Sequence, residues 1–196
     1  MDNLKDDARH RLLEAAVKLF VSKGYSATSV SMIVQEAKVT KPMLYYYFKN
    51  KAGIYTEIMN YAFVEFEAIM EKYPLSGVSA HEMILSMFID LMDVQEKRME
   101  YVRLIHAMIY GPPQGAPQVD FKEFHIRMAD KLSYILQKGI ENGELELIDV
   151  TDFCTILLSV LFFCFDTRMI ECSVKMTNDD LRRLINKLFD KVLINK

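Results

Sequence analysis

Apolar residues recur at helical spacing along nearly the whole chain of 196 residues. The first clear case is a set that follows the i, i+3, i+4, i+7 and i+8 pattern of one buried helix face, Leu12, Ala15, Ala16, Leu19 and Phe20. Only 7 Gly and 5 Pro interrupt the chain, fewer turn residues than a sheet protein needs. The spacing therefore predicts an all-α protein with a substantial apolar core.

Breaks in this periodicity divide the chain into about nine predicted helices and leave no convincing strand. The predicted helices cover residues 8–23, 30–37, 41–48, 51–73, 80–93, 99–109, 119–141, 150–171 and 178–194. Residues 74–77 form one break, and the proline-rich segment 111–117 forms the clearest loop. The expected N-caps are Thr28 or Ser29, Thr40, Asn50, Thr151 and Thr177.

No segment is expected to cross a membrane. The longest apolar stretch, around residues 156–165, is shorter than the roughly 20 residues that a spanning helix needs. The polar first seven residues predict no signal peptide. The odd number of cysteines, Cys154, Cys164 and Cys172, does not fit a disulfide framework. We therefore expect a cytoplasmic protein with buried, inert cysteines, and a thiol switch is the alternative.

Charge is distributed unevenly along the chain. Residues 1–51 carry nine Lys or Arg and five Asp or Glu, a net charge of +4. The remaining residues carry 15 and 22 of these, a net charge of −7. A basic N-terminal segment on an acidic body favours contact of one end with a polyanion, and random scatter is the alternative.

Two short predicted helices joined by a tight turn follow the first helix, which is the helix-turn-helix pattern. In the second of them Leu44 and Phe48 are four residues apart and predict its packed face. Residues 45–48 are all aromatic, and successive helical residues turn by about 100°, so at least two must be exposed or at an interface. Exposed Tyr beside Lys suits DNA, because the hydroxyl bonds a phosphate oxygen and the ring packs on sugar or a thymine methyl.

The motifs of this segment are contiguous. They are RLLEAAVKLF at 11–20, KGY at 23–25, TSV at 28–30 with Ile33, and VTKPMLYYYFKNK at 39–51. Together they resemble the DNA-binding domain of the TetR family over about residues 8–58. That family commonly has Gly where Lys38 stands, His where Tyr47 stands and an acidic residue where Gly53 stands. Lys38 is therefore expected to adopt a positive φ.

The resemblance implies DNA-contacting roles for ten residues. They are Ser29, Ser31, Thr40, Lys41, Pro42, Met43, Tyr45, Tyr46, Tyr47 and Lys51. Ser29 and Lys51 are expected to bind phosphates, while residues 41–43 lead the recognition helix towards the base edges. The three tyrosines are expected to hold the DNA backbone. For each residue a plain surface position is the alternative.

The resemblance also divides the chain by function. It implies a three-helix DNA-binding domain over residues 1–50 and a helical effector-binding and dimerisation domain over residues 51–196. It further implies a homodimer through the last two helices, about 150–171 and 178–194. The first of these helices is apolar nearly all round over residues 153–165, as expected for a helix buried on both sides. The alternative is the central helix of a monomer.

A small apolar or amphipathic effector is expected to bind the C-terminal domain, because Met and aromatic side chains suit an adaptable cavity. The candidate lining residues are Phe63, Phe66, Met87, Tyr101, His106, Tyr110, Phe124, His125, Met128 and Phe162. A filled core would have the same composition. A solvent-reachable cavity would therefore favour the effector, and a filled core would favour its absence.

The sequence argues against an enzyme. It contains no phosphate-binding Gly loop, His-Glu-x-x-His, nucleophile elbow or Cys-x-x-Cys, and its histidines lack metal-ligand spacing. We therefore expect no catalytic residue, no cofactor and no metal. The main hypothesis is a transcriptional repressor whose operator binding is relieved by the effector. The alternative is a DNA-binding regulator controlled by a partner protein or without a small-molecule effector.

Overall fold

The structure, a computed structural model, describes residues 2–73, 78–170 and 175–194, with side chains from residue 7 onward. Over these ranges the chain forms nine α-helices and no strand, which confirms the predicted fold class. The helices are α1 (Asp2–Lys23), α2 (Val30–Glu36), α3 (Lys41–Phe48), α4 (Lys51–Lys72), α5 (Ala80–Lys97), α6 (Met99–Tyr110), α7 (Lys122–Glu141), α8 (Val150–Met169) and α9 (Asn178–Phe189). The predicted break at 74–77 and Cys172 lie outside the described residues.

Side-chain caps fix several helix starts. The Ser29 hydroxyl accepts from the backbone N–H of Met32 at 3.3 Å, and Thr177 forms a capping box at the start of α9. For α8, Asp149 rather than the predicted Thr151 is the cap, and its carboxylate accepts from the Asp152 N–H at 3.0 Å. A carboxylate at this position also interacts favourably with the positive end of the helix dipole.

Several helix ends differ from the predicted positions. α1 begins at Asp2 rather than residue 8, because its polar first residues continue the helix without an apolar face that the sequence could reveal. The other observed ends are Lys97 for α5 (93 predicted), Lys122 for the start of α7 (119 predicted), Met169 for α8 (171 predicted) and Phe189 for α9 (194 predicted). Beyond α9 the backbone instead bonds to the segment after α7, where Glu146 N–H donates to Val192 O at 2.8 Å.

The chain divides into two compact units. The first contains Met1–Val64 and Arg98–Asp120, and the second contains Glu65–Lys97 and Phe121–Lys196. α6 therefore packs with the N-terminal helices, mainly against α1, and its Leu104 is buried. The compact unit around the helix-turn-helix is thus larger than residues 1–50, and the functional boundary at residue 50 stays a prediction.

The second unit is built around α5, which packs against α7, α8 and α9. A buried guanidinium joins three of these helices. It belongs to Arg168 of α8, whose side chain is only 5% exposed. It donates to Met92 O at 3.1 Å, to Met176 O at 2.9 Å and to Asn178 Oδ1 at 2.8 Å. The ends of α5 and α8 are thereby tied to the start of α9.

Among the described helices, α8 is long and apolar enough to cross a membrane. The core helix of a soluble protein has the same length and composition, so these properties alone are weak grounds for a membrane span. One side of α8 contributes Phe153, Leu157, Leu161 and Cys164 to the core of the second unit. Packing in that core accounts for the composition of this side of the helix.

Candidate DNA interface

The turn before α3 is held by backbone hydrogen bonds around a lysine in the left-handed region. Ala37 N–H donates to Ile33 O at 2.9 Å, and Val39 N–H donates to Val34 O at 3.0 Å. Lys38, between them, has a φ of 54°, which confirms the positive value expected where the family has Gly. Thr40 is extended at the N-cap of α3. The chain thus passes from α2 to α3 in a tight turn.

α3 has one buried face and one exposed face, as its residue spacing predicts. Leu44 is fully buried and Phe48 is 5% exposed, and α3 packs against α1 and α2. Tyr46 is 73% exposed and Tyr45 is 50% exposed. Tyr47 is half-buried, with its ring centroid 5.0 Å from that of Tyr46. Two of the four consecutive aromatic residues therefore face away from the core.

All ten predicted contact residues lie in the first unit, between the N-cap of α2 and the start of α4. Seven are exposed, namely Ser29, Ser31, Thr40, Lys41, Pro42, Tyr45 and Tyr46. Met43, Tyr47 and Lys51 are half-buried. The fold brings these residues to α2, α3 and their connections, and their contact with DNA stays a prediction.

Several cations of the basic N-terminal segment interact within the first unit. The pairs are Arg9 with Glu57, Arg11 with Asp7 at 3.1 Å, and Lys18 with Glu36 at 2.5 Å. By contrast, Lys38, Lys41 and Lys49 are exposed and lie just before, within and just after α3. These three exposed lysines therefore place positive charge around α3, where a polyanion can reach it.

Lys51, the first residue of α4, is held by the turn that precedes α2. Its Nζ donates to Tyr25 O at 2.8 Å and to Thr28 O at 2.8 Å, and it lies 4.1 Å from the centroid of the Tyr25 ring. Burial lowers the pKa of this ammonium from its ordinary value. The sequence predicts that Lys51 contacts a phosphate, and it does not predict the two carbonyl acceptors or the Tyr25 ring.

Tyr25 packs against two other aromatic rings. The sequence places it in the KGY motif but assigns no role to it. Its ring centroid is 5.4 Å from that of Phe20 and 5.0 Å from that of Tyr55, and Phe20 and Tyr55 are themselves 5.4 Å apart. Burial raises the pKa of Tyr55 to about 12. The three rings form a closed aromatic cluster that joins the end of α1 to α4.

A cavity of about 350 Å³ opens beside this cluster within the first unit. It is lined by Tyr25, Tyr55, Leu104, Met108 and the loop 111–118, among others. None of the ten predicted effector-contacting residues lines it. Gln114 of the loop packs against Gly24, whose φ of 80° suits glycine.

The predicted effector residues fall into both units. Phe63, Tyr101, His106 and Tyr110 belong to the first unit, and the other six belong to the second. In the second unit Met87 and Met128 are fully buried core residues. The remaining four form a row with ring centroids 4.0 Å (Phe66 to Phe124), 5.5 Å (Phe124 to His125) and 5.6 Å (His125 to Phe162) apart. Their contact with an effector stays a prediction.

Comparison with known proteins finds relatives both of the helix-turn-helix segment and of most of the chain. Residues 12–58 match the family model described as bacterial regulatory proteins, tetR family. The chain is 27% identical over 143 residues to the probable HTH-type transcriptional regulator YttP of Bacillus subtilis, covering 72% of this chain and 67% of the relative.

Solved structures share the fold over most of the chain. PfmR, a TetR family transcriptional regulator from Thermus thermophilus, superposes with a TM-score of 0.72 and 26% identity, covering 92% of this chain and 97% of PfmR. SmeT in complex with triclosan superposes with a TM-score of 0.74 and 17% identity, covering 96% and 92% of the two chains. Residues 12–58 therefore match the DNA-binding segment of the tetR family, and over most of its length the chain is similar to TetR family transcriptional regulators, which bind DNA and are not enzymes.

Proposed function

We propose that this protein is a cytoplasmic, homodimeric repressor that a small apolar or amphipathic effector releases from a double-stranded DNA operator. The observation that carries the proposal is the outer face of α3, where Tyr45 and Tyr46 are exposed above a buried face of Leu44 and Phe48. A helix anchored on one side and exposing aromatic and basic side chains on the other suits insertion into the major groove.

Each predicted contact residue of this surface has a matching chemistry on DNA. Lys41, in the first turn of α3, binds a phosphate or a guanine edge, and Met43 contacts a thymine methyl. Tyr45, Tyr46 and Tyr47 donate their hydroxyl protons to the DNA backbone. The Ser29 hydroxyl accepts from Met32 N–H and donates its own proton to a phosphate oxygen. Ser31, Thr40 and Pro42 border the same surface.

The exposed side of α8 supports a homodimer through α8 and α9. Ile156 and Phe163 lie seven residues apart on α8 and are 46% and 56% exposed, and Ile170, the C-cap that follows the helix, is 63% exposed. An apolar stripe at this spacing suits packing against another helix. A two-fold dimer also meets the need of a short recognition helix to read two half-sites.

The aromatic row of Phe66, Phe124, His125 and Phe162 supports an effector site in the second unit, because such rings bind flat apolar molecules and the imidazole adds a polar group. SmeT, a structural neighbour, has been solved in complex with triclosan. An effector that binds one spacing of the two DNA-binding heads more tightly than another would shift the protein away from its operator.

A gel shift tests the proposal directly. The probe is the DNA upstream of the protein's own gene, titrated with salt, and the control is the Lys41→Ala/Tyr46→Ala double variant. We expect dimeric, salt-sensitive binding that the double variant loses and that apolar aromatic compounds release. Wild-type binding no tighter than to random DNA would rule out autoregulation. Tight binding that no compound releases would favour control by a partner protein.

A further inference from the structure

The first unit contains an open cavity of about 350 Å³ that none of the predicted DNA-contacting or effector-contacting residues lines. Protein interiors have few voids larger than one water molecule, which takes up roughly 30 Å³. The cavity is about ten times larger than that, and its volume lies in the usual range of ligand sites. It is therefore large enough to hold a small molecule.

Three parts of the first unit form the walls of this cavity. One wall is aromatic and consists of Phe20 in α1, Tyr25 just after α1, and Tyr55 in α4. The second wall is the C-terminal half of α6, and the third is the loop 111–118. An occupant would therefore contact α1, α4 and α6 at the same time.

The loop wall is formed before any ligand arrives. Pro112, Pro113 and Pro117 fix three φ angles of the loop. The Gln114 side chain lies so close to Gly24 that a Cβ at position 24 would collide with it, so the loop is seated on the end of α1. A preformed site avoids part of the ordering cost of binding.

The lining of the cavity is uncharged. None of the described residues that form it is Asp, Glu, Lys, Arg or His. Leu104, Met108 and Ile109 add apolar surface to that of the three rings. A charged occupant would lose hydration without gaining a counter-charge, so this lining disfavours ions. An uncharged ring system can instead pack against the aromatic wall.

One polar group of the lining has a donor to offer. Tyr55 is 2% exposed, and no hydrogen bond joins its hydroxyl to another residue in the described part of the chain. Burial raises the pKa of Tyr55 to about 12 and also raises the pKa of Tyr25, so both phenols stay protonated at neutral pH. A buried donor without an acceptor is unfavourable, so an occupant with a polar oxygen would gain a hydrogen bond there.

We propose that this cavity is a second ligand site, in the first unit, for a small uncharged aromatic molecule that carries one hydroxyl or carbonyl oxygen. Phe20, Tyr25 and Tyr55 bind its ring system, and the Tyr55 hydroxyl donates to its oxygen. The site is separate from the aromatic row of the second unit, and its occupation requires no DNA. Failure of the proposed repressor function would therefore leave this site intact.

A methionine methyl group reports on the site directly. The full-length protein, labelled with 13C in its methionine methyl groups, is titrated with 2-naphthol, an uncharged fused ring with one hydroxyl. Met108 lines the cavity, whereas Met87 and Met128 lie in the core of the second unit, and Met108→Leu identifies the Met108 signal. We expect this signal to shift with half-saturation at roughly 0.1–1 mM, as suits a probe of this size. A Met108 signal that stays in place, or movement of Met87 and Met128 instead, would overturn the proposal.

Two exposed helical alanines allow a matched comparison. Ala107→Phe places a ring into the cavity from α6, and Ala68→Phe makes the same change on α4 in the second unit, outside the cavity. Unchanged signals of Met87 and Met128 show that each variant is folded. We expect Ala107→Phe to weaken 2-naphthol binding about tenfold or more and Ala68→Phe to match wild type. Equal affinity of all three proteins would refute the site.

The assigned chemistry has its own test. Tyr55→Phe removes the hydroxyl but keeps the ring, and it should bind 2-naphthol about fivefold more weakly than wild type. Tyr134→Phe, at an exposed position of α7, should not change the affinity. 2-Naphthoate, an anion of similar size, should bind wild type at least about tenfold more weakly than 2-naphthol. Unchanged 2-naphthol binding by Tyr55→Phe, or binding of 2-naphthoate as tight as that of 2-naphthol, would contradict the proposal.

Discussion

Replacing Lys49 by glycine should stabilise the protein. Lys49 joins α3 to α4 with a φ of 64° and a ψ of −42°, and Asn50 N–H donates across it to Phe48 O at 2.7 Å. This three-residue turn is strained for any residue with a Cβ, at about 1–2 kcal/mol. Glycine removes the strain but makes the unfolded chain more flexible, which costs about 0.4–1 kcal/mol. The exposed Lys49 side chain has little packing to lose.

The net expectation for Lys49→Gly is a gain of about 1 kcal/mol, equivalent to a rise in Tm of roughly 2–4 °C for a chain of this size. Thermal unfolding of wild type, Lys49→Gly and Lys49→Ala at one protein concentration measures it. Alanine removes the charge but keeps the Cβ, so Lys49→Ala should show no such gain. Equal gains for both variants, or a loss for Lys49→Gly, would refute the strain argument.

Three further outcomes follow from the described contacts. Gly53→Ala should destabilise the protein by about 1–3 kcal/mol in urea unfolding, because the added Cβ would collide with the carbonyl oxygen of Phe48. Alanine has the better helix propensity, so a stabilised variant would contradict this prediction. Phe48→Ala should lose about 3–5 kcal/mol of stability in the same assay, because the Phe48 ring is buried, and it should also abolish the gel shift. Full DNA binding by this variant would show that the buried face does not position α3. Burial raises the pKa of the Cys154 and Cys164 thiols, which makes both thiols unreactive in the native protein. Mass spectrometry should therefore find both unmodified by iodoacetamide at pH 8 in native protein and modified after unfolding. Rapid labelling of the native protein would instead favour the thiol switch.

The recognition helix could be predicted from sequence because its information is local. Leu44 and Phe48 lie one helical turn apart, which fixes the buried face and leaves Tyr45 and Tyr46 outside. The positive φ of Lys38 followed from the place of that residue in a turn where glycine is common. The start of α1 could not be predicted in the same way, because its first residues are mostly polar and carry no periodic apolar pattern in the sequence.

Contacts between distant segments were beyond the reach of the sequence. The acceptors of Lys51 are backbone carbonyls 26 and 23 residues away, and every residue carries such a carbonyl. The need for Gly53 likewise depends on the direction of a neighbouring carbonyl rather than on a residue type. Composition also could not separate the fully buried Met87 and Met128 from the aromatic row of the second unit, since core and cavity use the same side chains.

The central claim is that the outer face of α3 reads a DNA sequence, and selection from a randomised duplex pool tests it whatever the operator sequence is. The full-length wild type and the Lys41→Ala/Tyr46→Ala double variant are each carried through the same rounds of selection. We predict that wild type enriches an inverted repeat whose half-sites are about one helical turn apart or slightly more, and that the double variant enriches no motif. Enrichment of the same motif by both proteins, or of none by the wild type, would contradict the account.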